Sequence, residues 1–328
     1  GQVWRSTLDH YTPKPLAYRR IQVQFDLLRT CLLRLWRWGV DPDPFELHVS
    51  SVARFQVETG LVGCGWVRAA EEGLLADLVV VPRQDIPPLR ICSFDIEVVN
   101  TEGEGFPQPR TASVLCISAH VEGSMFVLSA APSDTVEGVT VQTFASERDL
   151  LMGWHTFLLE HDVDILTGWN ICNFDLSFLL ERAAWLDLDT FPYCGKDTSR
   201  PWYQYQDLYE NDVHYLPGRI VLDAYTAIKK DRKFRSYKLD YVAQALGLGC
   251  KEDVPWNQIG PLWRSGPAGV SRVLSYCAQD SQLVVDILTH EETVLKRIEM
   301  ARVTGISLAD ICAGGMSPQV ERMILRAC

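Results

Sequence analysis

Two acidic residues with a single residue between them, in an apolar run, constrain this chain more than any other feature. Segment 91–99 contains Asp95 and Glu97 among residues that favour β-strands. Because strand side chains alternate between two faces, Phe94 and Ile96 share one face and the two acids share the other. Neighbouring carboxylates on a buried strand cost free energy unless a positive charge neutralises them. The run therefore predicts either a divalent-cation site or an edge strand with two solvated acids.

The composition is that of a globular protein, with 47% hydrophobic and 22% charged residues among 328. No apolar run approaches the roughly 18–20 residues of a membrane helix, and we expect neither a signal peptide nor a membrane partner. The ten cysteines form no Cys-x-x-Cys pair, which indicates a reducing compartment. A net charge of −11 argues against non-specific polyanion binding but not against a nucleic-acid enzyme with local basic surfaces.

The pattern of elements changes near residue 89, where strands and helices begin to alternate. We predict strands at 91–99, 114–120, 125–128, 139–144, 164–168 and 219–222. We also predict a helix from the N-cap Ser146 to about Glu160, a helix capped by Asn173 that ends near Trp185, and one long final helix over 270–303. This order predicts an α/β fold in which helices flank a mixed sheet.

Further acidic residues fall where strands end or helices begin in such a fold. Asp175 lies in the first turn of a predicted helix that follows a strand end and a turn, a position that the helix dipole by itself also favours. Tyr276 and Asp280 lie four residues apart on one face of an apolar helix, where the alternative for Asp280 is an exposed helix edge. Strand ends and helix starts converge on one crevice in such sheets. Four carboxylates there would suit two divalent metals about 3.5–4 Å apart.

These residues resemble the three exonuclease motifs of family B DNA polymerases. Residues 94–97 are similar to the first motif, 170–175 to the second and 276–280 to the third, in the DEDD pattern of 3′→5′ exonucleases marked by a tyrosine. The resemblance covers roughly residues 45–310. Segments 61–66, 164–170, 235–239 and 299–305 resemble delta-type polymerases, whereas 262–280 looks closer to herpesvirus polymerases. Residues 315–317 read Gly-Met-Ser where family members carry Gly-Gln-Gln, which leaves the subfamily open.

The resemblance implies three domains. A smaller α+β N-terminal domain is expected over 1–88, an RNase H-like exonuclease domain over 89–290, and a helical connection toward a polymerase palm over 291–328. The palm motifs are absent from this sequence, so we expect the chain to be part of a longer polymerase. The implied activity is proofreading, in which two Mg²⁺ or Mn²⁺ ions support hydrolysis of 3′-terminal nucleotides from single-stranded DNA.

The resemblance also implies roles for the motif residues. Asp95, Glu97, Asp175 and Asp280 would bind the metals, with Asp95 shared between both ions. Tyr276 would orient the attacking water, because a phenol with a reference pKa of about 10 is poorly suited as a base near neutral pH.

DNA contacts are expected at three places. The basic and aromatic stretch 229–238 suits a phosphate backbone and base stacking, although a solvated loop has the same composition. Region 186–218 is expected to contain a strand-separating hairpin, with Asp207, Tyr209 and Tyr215 as candidates, and Phe106 is expected to wedge a terminal base. The DNA-binding residues that we predict are Asn170, Phe174, Phe106, Lys230, Arg232, Lys233, Arg235, Tyr237 and Lys238.

The expected partners are single-stranded DNA, primer 3′ ends, the remaining polymerase domains and a processivity factor, in the nucleus or at a site of viral DNA replication. Two alternatives stay open, a separate DEDD nuclease acting on RNA or DNA and a catalytically silent scaffold. A nucleotide-cofactor enzyme is disfavoured, because no glycine-rich phosphate loop follows the first strand of the exonuclease region.

Overall fold

The computed structural model describes residues 2–5, 14–17, 34, 37, 51–69, 78–100, 105–206, 212–249, 254–313 and 316–327. The chain divides into two compact units, Gly1–Ser51 and Val52–Cys328. The described residues of the first unit include one antiparallel pair of strands, β1 (Gln2–Arg5) and β2 (Lys14–Ala17).

The second unit contains the remaining described strands. They are β3 (Trp66–Arg68), β4 (Val79–Val81), β5 (Ile91–Asn100), β6 (Ala112–Val121), β7 (Ser124–Ser129), β8 (Val139–Thr143), β9 (Ile165–Gly168), β10 (Tyr203–Gln206), β11 (Asp212–Tyr215) and β12 (Ile220–Asp223).

The described helices follow the same chain order. They are α1 (Ser51–Thr59), α2 (Glu147–Glu160), α3 (Asp175–Trp185), α4 (Ala224–Asp231), α5 (Leu239–Ala245), α6 (Trp256–Arg264), α7 (Pro267–His290), α8 (Thr293–Thr304), α9 (Leu308–Ala313) and α10 (Met316–Ala327). None of them is long and apolar enough to cross a membrane.

A six-stranded mixed sheet with the order β12-β9-β5-β6-β7-β8 forms the centre of the second unit. The pairs β12–β9, β9–β5 and β7–β8 are parallel, whereas β5–β6 and β6–β7 are antiparallel. Helices pack against this sheet, with α7 in contact with β5, β6 and β7, and α2 in contact with β6 and β7. The predicted α/β fold with a mixed sheet flanked by helices is confirmed, and it is the architecture that the RNase H-like resemblance implied.

The central strand β5 has the predicted alternation of faces. Phe94 and Ile96 are buried in the main core, where the Phe94 ring lies 5.2 Å from the Trp154 ring of α2, centroid to centroid. Asp95 pairs with Ser118 of β6, and a β-bulge follows Glu97. Because β5 lies between β9 and β6, the alternative of an edge strand with two solvated acids is wrong.

The start of α3 differs from the prediction. The helix begins at Asp175, its N-cap position is Phe174, and no side chain caps it. Asn173 instead donates from Nδ2 to Oδ1 of Asn170 over 2.8 Å, so its side chain stabilises the preceding turn. Asn170 has a φ of 61°, a left-handed conformation that asparagine tolerates. The prediction that Asn173 caps the helix is therefore wrong.

The predicted final helix over 270–303 is two helices in the structure. α7 ends at His290 and α8 begins at Thr293, with Glu292 at a φ of 50° between them. Glu291 is buried at this break and accepts from Nε of Arg232 over 2.9 Å. The helix breaks where a distant arginine binds the connecting residue, a contact that helical periodicity does not encode.

Residues on both sides of the predicted boundary at 88 belong to the second unit. Arg302 of α8 donates to the backbone carbonyls of Cys64, Gln84 and Asp85 over 3.3, 2.8 and 3.0 Å. The segment before β5 therefore packs on the helices that follow α7. The domain boundaries at 88 and 290 stay predictions.

A largely buried ion pair holds α3 against the rest of the domain. Arg182 donates to both carboxylate oxygens of Glu147 over 2.8 and 2.7 Å, and to the carbonyl of Pro109 over 2.9 Å. Glu147 also accepts from the backbone N–H of Val114 on β6 over 2.7 Å. These bonds join α2, α3, β6 and the loop after β5, and so fix the helix that begins with Asp175.

Candidate active site

The acidic face of β5 meets helix α7 at the centre of the site. The ligand atoms of Asp95, Glu97 and Cys277 all lie within 4.8 Å of one another. Sγ of Cys277 lies 3.6 Å from Oδ2 of Asp95, and Glu97 is buried. The hydroxyl of Ser118 donates to the carbonyl of Cys277 over 2.9 Å and lies 2.6 Å from Oγ of Ser281. These contacts between β6 and α7 hold the helix over the two acids.

Asp175 reaches the same strand from the start of α3. Its Oδ1 accepts from the backbone N–H of Ile96 over 3.2 Å, directly between the two acids of β5. Asp175 is 3% exposed and Asp280 of α7 is 8% exposed. Asp175 therefore meets residues 95–97 directly, and Asp280 is near enough for its negative charge to act on Asp175.

The electrostatics of Asp175 reflect this crowding. Burial raises the pKa of its carboxyl to about 7, and the negative charges of Asp223 and Asp280 act in the same direction, while backbone N–H groups oppose them. A buried carboxyl beside other carboxylates is poorly stabilised as an anion unless a cation is bound. The arrangement fits a divalent cation, which prefers carboxylate oxygens as ligands.

Sequence reasoning missed the position of Cys277. Cys277 is buried in α7, and its thiol borders Asp95. Burial raises the pKa of this thiol well above its ordinary value, and Cys116, Asp95 and Glu97 add to the effect. The thiol is therefore protonated at neutral pH. The sequence signal for this contact was the place of Cys277 between Tyr276 and Asp280.

Sequence reasoning also missed Asp223, the last residue of β12. It is 7% exposed, and its carboxylate accepts from the backbone N–H groups of Cys172 and Thr226, each over 3.1 Å. Burial raises its pKa, while these N–H groups oppose the shift. An acid that ends a strand and begins a helix has the same placement that singled out Asp175, and that pattern could have identified it.

Aromatic side chains flank the acids. Tyr276 is half-buried and packs against the apolar cluster that joins α7 to β6. Phe106 is 72% exposed, and its ring meets that of Phe174 edge to face with centroids 5.5 Å apart. Phe174 directly precedes Asp175, so the exposed ring of Phe106 lies beside the second motif.

The predicted basic residues Lys230, Arg232, Lys233, Arg235 and Lys238 are exposed, at the end of α4 and in the loop that follows it. The guanidinium of Arg232 binds both carboxylate oxygens of Glu291, which links this arginine to the fold. Trp169 joins the loop to the second motif, because its Nε1 donates to the carbonyl of Tyr237 over 3.1 Å and it directly precedes Asn170.

Region 186–218 contains the antiparallel pair β10–β11, and its role in separating strands stays a prediction. Tyr215 lies on it with its ring 5.1 Å from that of Tyr203, whereas the candidates Asp207 and Tyr209 fall outside the described residues. His214 joins the hairpin to the second motif. Its Nδ1 accepts from Nε1 of Trp202 over 3.1 Å, so the other nitrogen, 2.9 Å from the carbonyl of Cys172, is the donor.

Comparison with protein families places these features in a known group. The model of the family described as "DNA polymerase family B, exonuclease domain" matches residues 43–242. That range contains Asp95, Glu97 and Asp175, and it ends before Tyr276 and Asp280.

Relatives with similar sequences are DNA polymerase delta catalytic subunits. The one from Plasmodium falciparum is 32% identical over 75% of this chain and 24% of its own length, and the one from Mesocricetus auratus is 31% identical over 86% and 29%. The Schizosaccharomyces pombe subunit is 28% identical over 96% of this chain and 32% of its own length. The chain spans less than a third of these relatives. With the family match over more than half of its residues, it belongs to the exonuclease-domain family of the family B DNA polymerases.

Proposed function

We propose that this chain is the 3′→5′ proofreading exonuclease portion of a family B DNA polymerase, which removes 3′-terminal nucleotides from single-stranded DNA by metal-assisted hydrolysis. The observation that carries the proposal is the bond from the N–H of Ile96 to Asp175, which brings the second motif between the two acids of the first. A catalytically silent scaffold would be marked by a broken set of acids, whereas this chain has all four acids and the tyrosine.

The four carboxylates of Asp95, Glu97, Asp175 and Asp280 would hold Mg²⁺ or Mn²⁺, as two ions. Such ions lower the pKa of a bound water and stabilise the charge that develops on phosphate oxygens. Asp95 would serve both ions, Glu97 and Asp280 one of them, and Asp175 the other. Because Mg²⁺ and Mn²⁺ prefer oxygen ligands, the carboxylates and not the thiol of Cys277 would bind the cations.

The remaining residues position the substrate. Tyr276, one helical turn before Asp280, orients the attacking water through its hydroxyl. The exposed ring of Phe106 stacks on the terminal base, and Asn170 and Phe174 line the path beside it. The basic stretch of Lys230, Arg232, Lys233, Arg235, Tyr237 and Lys238 contacts the backbone of the strand.

The partners that we propose follow from the assignment of this chain as the exonuclease portion of a polymerase. They are single-stranded DNA and primer 3′ ends, the polymerase domains that make up the rest of the delta-type relatives, and a processivity factor. The proposed location is the nucleus, or the site of viral DNA replication for a viral protein.

The first prediction concerns the acids of β5. The double variant Asp95→Ala with Glu97→Ala will show no detectable release of deoxynucleoside monophosphates from a 3′-labelled single strand, because both side chains are proposed metal ligands. The measurement is gel separation of the released labelled monophosphate from the intact strand with Mg²⁺ or Mn²⁺, on matched DNA and RNA oligomers.

The control double variant is Glu181→Ala with Asp189→Ala, which removes two exposed acids of the same charge and will retain the activity. Undiminished digestion by the β5 variant would remove the basis for the site. Faster digestion of RNA than of DNA would favour the separate RNA nuclease.

The second prediction concerns Tyr276. Replacing it by Phe keeps the ring and removes only the hydroxyl, so kcat will fall by about 10- to 100-fold through loss of water orientation. Mn²⁺ affinity in calorimetry will stay the same, and Tyr241→Phe, a change on the surface of α5, will have no effect. Weaker Mn²⁺ binding by Tyr276→Phe would contradict the assigned role.

The third prediction concerns the free energy of unfolding without divalent cations. The Asp175 pKa is about 7 in the fold against an ordinary 3.8, so the folded state holds the proton more tightly. Stability must then fall as the pH rises from about 4 to about 7, by up to about 4 kcal/mol. Asp175→Asn removes this loss, so the variant will be the more stable protein above about pH 7 and similar to wild type near pH 4.

The measurement is urea unfolding across this pH range, with exposed Asp189→Asn as the control. Saturating Mn²⁺ will stabilise the wild type more than Asp175→Asn, since a ligand stabilises the state that binds it. A difference between wild type and Asp175→Asn that does not change with pH would disprove the electrostatic account.

The fourth prediction concerns Phe106. Stacking of a base on an exposed aromatic ring is worth about 1–3 kcal/mol, so Phe106→Ala will weaken single-strand binding by roughly 5- to 150-fold. Fluorescence anisotropy of a labelled oligomer in Ca²⁺ buffer measures the affinity without turnover. Trp256→Ala is the matched control, because Trp256 is also 72% exposed. Equal losses in both variants would show that Phe106 has no special role.

A further inference from the structure

Asp223 is a buried acid that the proposed chemistry does not use. It lies at the end of β12, where it pairs in parallel register with Gly168 at the end of β9. Both of its carboxylate oxygens accept backbone N–H groups, and the N–H groups of Asn170 and Tyr225 also act on it. Oδ1 binds that of Thr226 in the first turn of α4, and Oδ2 binds that of Cys172, each over 3.1 Å. One side chain therefore joins α4 to the turn at 170–173.

That turn determines where α3 begins. The N–H of Asn173 donates to the carbonyl of Asn170 over 3.2 Å, and the N–H of Leu176 donates to the carbonyl of Ile171 over 2.9 Å. Ile171 is fully buried. Because the turn is short and its apolar residue is fixed in the core, a displacement at Cys172 moves Asp175 with it.

The other side of the turn leaves no room for adjustment. A Cβ on Gly168 would lie 2.4 Å from the carbonyl oxygen of Phe94, so the end of β9 is in close contact with the backbone of β5. Asp175 meets β5 two residues further on, at the N–H of Ile96. The position of this carboxylate relative to Asp95 and Glu97 thus depends on the turn that Asp223 holds.

We propose that Asp223 is a positioning residue, which holds Asp175 in its cation-binding position through the N–H of Cys172 and is not itself a ligand. This inference rests on the proposed function of the acidic site. Metal ligands are commonly oriented by such surrounding hydrogen-bond acceptors.

The test compares Asp223→Ala and Asp223→Asn with the wild-type chain, with Mn²⁺ as the probe in calorimetry. Asp223→Ala will bind Mn²⁺ about 10- to 100-fold more weakly at one site, and the amide of Cys172 will exchange hydrogen faster. The Mn²⁺ affinity of Asp223→Asn will lie between those of the wild type and Asp223→Ala. Its amide oxygen still accepts from an N–H group, while its NH₂ group opposes the donor on the other side.

The matched control is Ser146→Ala. Ser146 caps α2 by accepting from the N–H of Asp149, so this variant loses a helix cap elsewhere in the domain. It will bind Mn²⁺ as the wild type does. In exonuclease assays, Asp223→Ala will require more Mg²⁺ for half-maximal rate, with little change in KM for DNA. A general loss of packing would not change the Mg²⁺ requirement alone.

Two results would overturn the inference. Unchanged Mn²⁺ affinity in Asp223→Ala would show that the turn does not depend on this carboxylate. Loss of a whole Mn²⁺ site, as in Asp175→Ala, would make Asp223 a ligand. If Asp223→Ala does not fold, the Mn²⁺ affinity of Asp223→Asn decides. An affinity equal to that of the wild type would then overturn the inference. Failure of the proposed function is distinguishable, because a wild-type chain that binds Mn²⁺ but leaves DNA intact would still allow the affinity comparison.

Discussion

Repulsion between carboxylates that are buried together is the constraint around which this domain is arranged. β5 is the central strand of the sheet, yet one of its faces carries Asp95 and Glu97, and α7 covers that face. Asp175 adds a third acid at the N–H of Ile96, and Asp280 acts on it as a further negative charge. Backbone N–H groups offset part of the cost, and the remainder makes the site favourable for cations.

The surrounding polar contacts keep the participating elements in place despite this repulsion. Ser118 holds α7 over β5, the Arg182–Glu147 pair fixes α3, and Asp223 holds the turn before it. His214 joins the hairpin to the same turn through the carbonyl of Cys172. The second motif is thus the meeting point of the sheet, the hairpin and α4. Its geometry is set by groups that carry out no chemistry themselves.

The parts of the fold that sequence predicted are those that local physics decides. Strand alternation correctly separated the faces of β5, and the N-cap Ser146 and the end of its helix at Glu160 agree with the structure. The failures have a common cause. The helix break at Glu291 depends on Arg232, and the turn before α3 uses the side chain of Asn173 for Asn170. Propensity alone does not reveal which of several available partners a polar side chain will bind.

By itself, the sequence determined that β5 carries two acids on one face, that Asp175 lies in the first turn of a helix, and that Tyr276 and Asp280 share a helical face. These features depend on backbone periods of two and 3.6 residues, which any short segment contains. Only the tertiary structure decided that Asp175 meets Ile96 and that Cys277 borders Asp95, contacts that span 79 and 182 residues of chain. Such pairings are selected by the packing of the whole sheet with its helices, so no local pattern specifies them.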